Sequence, residues 1–214
     1  MTALKKLAPE PGKRLLAQYV DYLAMADPSR RFALIPRSED VNDGFREVTV
    51  HDIARAANSM SWWIEKHLGP PREEETIAYM GNNDIRYIIF ILASNKTGNK
   101  VYRGMRNRVM CDSHANAFLS IKILFPSPRL SDEAYKHIFD STNCKRMLFS
   151  QEKAHKISEL VPVLPEMNFL EVPSFIDSLD DEGGLNHYPL EKTYEEIEDE
   201  VAFMIHSSGT TGKQ

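Results

Sequence analysis

The chain has little cysteine. Its two, Cys111 and Cys144, are too far apart for a CxxC pair and too few for a disulfide framework, so a reduced, cytoplasmic setting is expected. Long hydrophobic runs are also missing: the apolar stretch Ile88–Ala93 is far too short to span a bilayer. The amino terminus has lysines but no continuous apolar stretch behind them, because Pro9, Pro11 and Gly12 interrupt it, and this argues against a secretory signal. Basic charge is not in excess. Lys and Arg total 26 against 31 Asp and Glu, and the basic residues are scattered rather than striped, so no nucleic-acid surface is expected. Cys111 and His114 would be half a metal site with no second half, so no metal is expected there.

What is present is a regular alternation. Residues 13–26 read as a helix with Leu15, Leu16, Tyr19, Tyr22 and Leu23 on its apolar stripe, followed by short strands at 32–36 and 45–50. Thr49 is placed to cap a strong helix over 51–68, whose stripe is Ile53, Ala56, Ala57, Met60, Trp63 and Ile64, and Gly69-Pro70-Pro71 ends it. From there the pattern is β-α-β. Strands are predicted at 76–80, 123–125, 146–149, 168–172 and the terminal 201–205. Between them lie a helix on Ile85, Ile88, Ile89, Leu92 and Ala93 capped by Asn83 or Asp84, a helix capped by Ser131, and a helix over 152–160. Strands alternating with helices predict an α/β fold with a mostly parallel sheet covered on both faces. In such sheets ligands sit beyond the carboxyl ends of the strands.

The last strand empties into Ser207-Ser208-Gly209-Thr210-Thr211-Gly212-Lys213, a loop of hydroxyls, glycines and one ammonium. Glycine admits positive φ, and successive inward amides form a nest for an anion. That chemistry suits a polyphosphate. It is not a Walker A loop, because Ser207 stands where the first glycine belongs and Gln214 where Ser or Thr would hold magnesium. Nor are Gly209 and Gly212 spaced as a dinucleotide fingerprint. His206, just before the loop, reads as a strand-end packing residue.

The loop resembles the phosphate loop of the adenylate-forming superfamily, which includes acyl-CoA synthetases, luciferases and the adenylation domains of nonribosomal peptide synthetases. Ser207 to Gly212 match six family positions in order; Lys213 falls on the variable position and Gln214 on the family's proline. Softer similarity runs through Ile77–Asp84, Ala93–Lys100 and Leu124–Arg129, in wording most like the fungal-type synthetase-like reductases. The resemblance implies that 1–214 is an incomplete, amino-terminal portion of an AMP-binding adenylation domain. It implies ATP and Mg2+ as ligands and a small carboxylic acid as co-substrate. The carboxylate attacks the α-phosphate, pyrophosphate leaves, and the acyl group passes to a thiol of phosphopantetheine or coenzyme A. Carrier and reductase domains are the implied downstream partners. Ser207, Ser208, Thr210 and Thr211 would donate hydroxyls to the β- and γ-phosphates, Gly209 and Gly212 would give backbone access, and Lys213 would add an ammonium. Residues that carry the chemistry itself are expected downstream of Gln214, so the chain alone is expected to be inactive.

Residues 101–122 break the pattern. Removing them joins Gly98-Asn99-Lys100 to Ile123, the order the family shows, so they read as an insertion or a translated, unspliced intron. Two other readings of the whole remain open: a truncated free-standing acyl-CoA ligase, and a non-catalytic α/β binding module whose tail mimics a phosphate loop.

Overall fold

The computed structural model describes residues 12–38, 40–69, 76–97, 122–174, 186–190, 193–198 and 203–205. Helix α1 (Leu16–Ala26) leads into an antiparallel hairpin, β1 (Arg31–Pro36) and β2 (Phe45–Thr49). Gly44 takes φ 81° at the hairpin turn, a conformation that favours glycine. Helix α2 (Val50–Leu68) starts at a capping box: the Thr49 hydroxyl accepts the Asp52 amide, and the Asp52 carboxylate accepts the Thr49 amide. The helix stops at Gly69, φ 70°.

The main sheet follows. Its strands are β3 (Thr76–Met80), β4 (Lys122–Phe125), β5 (Cys144–Phe149), β6 (Asn168–Glu171) and β7 (Phe203–Ile205), in the order β6-β5-β3-β4-β7. All four pairings are parallel. Among the described residues four helices follow β3: α3 (Arg86–Thr97), α4 (Asp132–Ser141), α5 (Ala154–Leu160) and the short α6 (Tyr194–Ile197). Lys122, inside the stretch read as an insertion, is the first residue of β4 and pairs with Thr76.

Period-two alternation splits the strands between two cores. Ile77, Tyr79, Ile123, Phe125 and Leu148 face a core shared with α1, α2 and α3. Ala78, Met80, Leu124 and Met147 face a second core with α4 and α5, which Cys144 joins from beyond the register shift at the start of β5. Every residue of β3 is buried, as expected of a central strand in a sheet covered on both faces.

Two helix stripes differ from expectation. Helix α1 begins at Leu16 and buries Ala17 and Val20; Leu16 is half exposed, and Tyr19 and Tyr22 stack on each other at 6.2 Å along its flank. Small residues at the contact let α1 lie close against its neighbours, and the larger apolar side chains cover the edges of that contact. Helix α3 is buried nearly all round, including Phe90, Ile91 and Ser94, while Ile88 is its exposed residue. It lies between the sheet and the α1–α2 layer, so no single stripe describes it.

Candidate functional site

The carboxyl edge of the sheet is where a doubly covered parallel layer presents loops to a ligand. Helix α3 leaves β3 for one face, whereas α4 and α5 leave β4 and β5 for the other. The chain therefore diverges on both sides of β3, and crevices open between β3 and β5 and between β3 and β4.

The first crevice is bridged by an ion cluster. The Arg86 guanidinium, at the start of α3, is 2.7 Å from Asp84 and 2.9 Å from Glu152, which sits in the 3-10 turn after β5. Arg86 is buried, and Asp84 also accepts its amide at 2.9 Å. Asp84, rather than Asn83, thus takes the helix-start amide. Burial works against the guanidinium charge, but the hydrogen bonds it donates to Asp84 and Glu152 outweigh it and raise the Arg86 pKa. The hydrogen bond from Arg86 is the largest cause holding the Glu152 carboxyl down to about 2. The Ser150 amide donates to the Met80 carbonyl and extends the seam. This corner is closed by protein groups of its own.

On the β4 side the edge is aromatic and small. Tyr79 stacks on Phe90 at 4.1 Å, and Tyr87 meets Phe125 at 4.7 Å. The Tyr79 hydroxyl is buried without a hydrogen-bond partner, and burial pushes its pKa above the ordinary phenol range. The Tyr87 hydroxyl donates to the Gly81 carbonyl at 3.4 Å. After β4, Tyr135 donates to the Ser127 carbonyl at 2.7 Å, and the Ser131 hydroxyl caps α4. Burial pushes the Tyr135 pKa up to about 12. These bonds hold the turn after β4 beside the place where β7 ends.

Strand β7 runs parallel to β4 with Phe203 opposite Ile123 and Ile205 opposite Phe125. It therefore ends at the carboxyl edge, next to the turn after β4. The predicted phosphate-loop residues, Ser207, Ser208, Gly209, Thr210, Thr211, Gly212 and Lys213, lie outside the described residues, as do Cys111 and His114. Among the described residues no group of three His, Cys, Asp or Glu side chains is placed to hold a metal, and no helix is long and apolar enough to cross a membrane.

Sequence reasoning missed the Arg86 cluster and a second buried cation, Lys96. A signal for Lys96 was present: it falls three and four positions after Ala93 and Leu92, on the buried side of α3. A cavity of about 410 Å³ at the amino end of β5, lined by Phe139, Cys144, Leu164 and Lys136 among others, lies at the opposite edge from β7's end.

No protein-family model matches the chain. Over 209 residues, 95% of its length, it is 29% identical to a carboxylic acid reductase of Neurospora crassa, of which it spans 17%. Among solved structures, a long-chain-fatty-acid-CoA ligase, FadD1, from Archaeoglobus fulgidus overlays with a TM-score of 0.63 at 14% identity, covering 95% of this chain and 37% of that one. The A-PCP didomain of carboxylic acid reductase from Segniliparus rugosus, in complex with AMP, gives 0.53 at 15% identity, covering 93% of this chain and 25% of that one. The order of the sheet and the overlays agree: the chain's sheet and helices have the fold of the amino-terminal domain of adenylate-forming enzymes, and its sequence is similar to that of the reductase over 17% of the reductase's length.

Proposed function

We propose that this chain supplies the triphosphate-gripping part of a carboxylate-activating enzyme. In the whole protein a carboxylic acid and ATP give an acyl-adenylate and pyrophosphate, and the acyl group then moves to a pantetheine thiol. Ser207, Ser208, Thr210 and Thr211 donate hydroxyls to the β- and γ-phosphates, Gly209 and Gly212 bring amides close, and Lys213 adds positive charge. Prearranged donors of this kind stabilise the charge that builds on departing pyrophosphate. Magnesium enters with the nucleotide, bound to its phosphates.

The observation that carries this reading is the direction of β7. The strand pairs parallel to β4 and ends at the carboxyl edge, one residue before the hydroxyl- and glycine-rich run. The β3–β5 crevice is already bridged by Arg86, Asp84 and Glu152, which leaves the crevice on the β4 side, the side on which β7 lies, for an anion. The reductases named above support a thiol acceptor on a carrier domain, followed by a reductase domain, as the downstream partners.

Binding of the phosphates is tested on the chain itself by titrating magnesium pyrophosphate, then ATP, into 15N-labelled protein. The expected result is saturable shifts in the amides of Gly209, Thr210, Thr211 and Gly212, with α4 and α5 unmoved. Absence of shifts in that run at millimolar ligand would overturn the assignment.

A further inference from the structure

Lys96 is almost wholly buried, yet its ammonium donates to both carboxylate oxygens of Asp21, at 2.8 and 2.6 Å, and to Asn58 Oδ1 at 2.7 Å. The three residues come from α3, α1 and α2. A buried charge of this kind is kept only where its partners satisfy it. The same Asn58 oxygen accepts the Tyr188 amide at 3.1 Å, so the ammonium and residues 186–190 share one acceptor. Trp62 adds two holds: its indole N–H donates to the Asn186 carbonyl at 2.8 Å, and its ring meets Tyr188 edge-on at 4.7 Å. Tyr188 is 1% exposed, and Leu190 packs on the first core. Segment 186–190 is thus a strap pinned across the helical layer.

What the strap leads to gives it a consequence. Strand β7 is three residues long and pairs with β4 alone among the described strands. With the strap pinned, 12 residues separate Leu190 from Phe203; without it, 31 separate Glu171 from Phe203. The shorter loop closes about fourfold more favourably, because closure entropy follows the three-halves power of length.

We propose that Lys96 is a positioning residue that acts at a distance, pinning the 186–190 strap and through it holding β7 in register on β4. Its bearing on nucleotide binding rests on the phosphate reading above; the pinning of β7 does not.

Hydrogen exchange followed by mass spectrometry tests the coupling in the full chain. Two variants reach it from opposite sides: Lys96→Met removes the ammonium, and Tyr188→Ala loosens the strap while leaving the Lys96–Asp21 pair in place. Each is expected to speed exchange in β7 by about fourfold, with β3 and β5 unchanged. Where Lys96→Met fails to fold, Tyr188→Ala alone decides. Unchanged exchange in β7, or acceleration shared equally by β3 and β5, would overturn the proposal. The exchange is read without nucleotide, so its failure is distinct from a failure of the pyrophosphate titration.

Discussion

The space over Gly81 belongs to Tyr79. A β-carbon built on Gly81 would stand 2.1 Å from the Tyr79 hydroxyl oxygen and 2.6 Å from the ring carbon that bears it. The ring is pinned by Phe90, Tyr87 and Phe125, so it has little room to withdraw. Gly81→Ala is therefore expected to destabilise the fold by about 2 kcal/mol through overpacking. The urea midpoint measures this, and an unchanged midpoint would show that the ring moves freely.

Tyr79→Phe should act in the opposite direction. It removes a buried hydroxyl that lacks a partner and leaves the ring stack in place. Relief of about 1 kcal/mol is expected, read from the same denaturation curves. A clear loss of stability would mean that the hydroxyl has a partner in solution.

Arg86 neutralises two carboxylates at the β3–β5 crevice. Arg86→Met leaves Asp84 and Glu152 facing each other and should cost about 2 kcal/mol, below the full price of a broken buried pair because both acids reach solvent. The pH dependence carries a sign. Glu152 is held down to about 2 in the fold against 4.5 as its ordinary value, so its contribution is present above pH 4.5 and is lost as pH falls towards 2. Glu152→Gln should flatten that part of the stability profile by less than about 1 kcal/mol, since the carboxylate is nearly half exposed. A profile unchanged in slope between pH 5 and 2 would sink this assignment.

The capping box offers a control far from the site. Thr49→Ala removes the acceptor of the Asp52 amide and should cost about 1 kcal/mol. The loss should appear as a lower thermal midpoint with amide shifts confined to the start of α2.

Trp62 reports on the strap. Its indole donates to Asn186 and packs on Tyr188, so Tyr188→Ala should shift tryptophan emission to longer wavelength as the indole meets water. An unmoved spectrum would mean that the strap stays seated without its ring.

The sequence made the main architecture legible wherever a local signal and a tertiary demand agreed. In α2 the apolar stripe, Thr49 and Gly69 all describe the same helix, and the fold adopts it. The strand-helix alternation from Thr76 onward likewise announces a parallel sheet, and the five described strands of the main sheet are parallel. Helix α1 was misread because periodicity ranks side chains by apolarity, whereas close helix contact there selects Ala17 and Val20 for size. Strand order was beyond local reading, since each neighbour of β3 arrives from a distant stretch of chain. Arg86 and Lys96 were overlooked for a related reason: their partners, Glu152 and Asp21, are 66 and 75 residues away. The phosphate-loop reading rests on a motif alone: Ser207 to Lys213 lie outside the described residues, and what the fold adds is that β7, the strand before them, ends at the carboxyl edge.

The central position of β3 has a bearing on biosynthesis. Thr76 meets Lys122 in β4 and Cys144 in β5, so no ladder on β3 can form until at least 46 further residues have left the ribosome. Hairpin and helices can settle early from nearby contacts, but β3, all of whose residues are buried in the fold, must wait unpartnered during that interval. Slow, non-local pairing of this kind exposes a sticky strand to other chains. A newborn copy should therefore depend on holding chaperones more than its modest size alone would suggest.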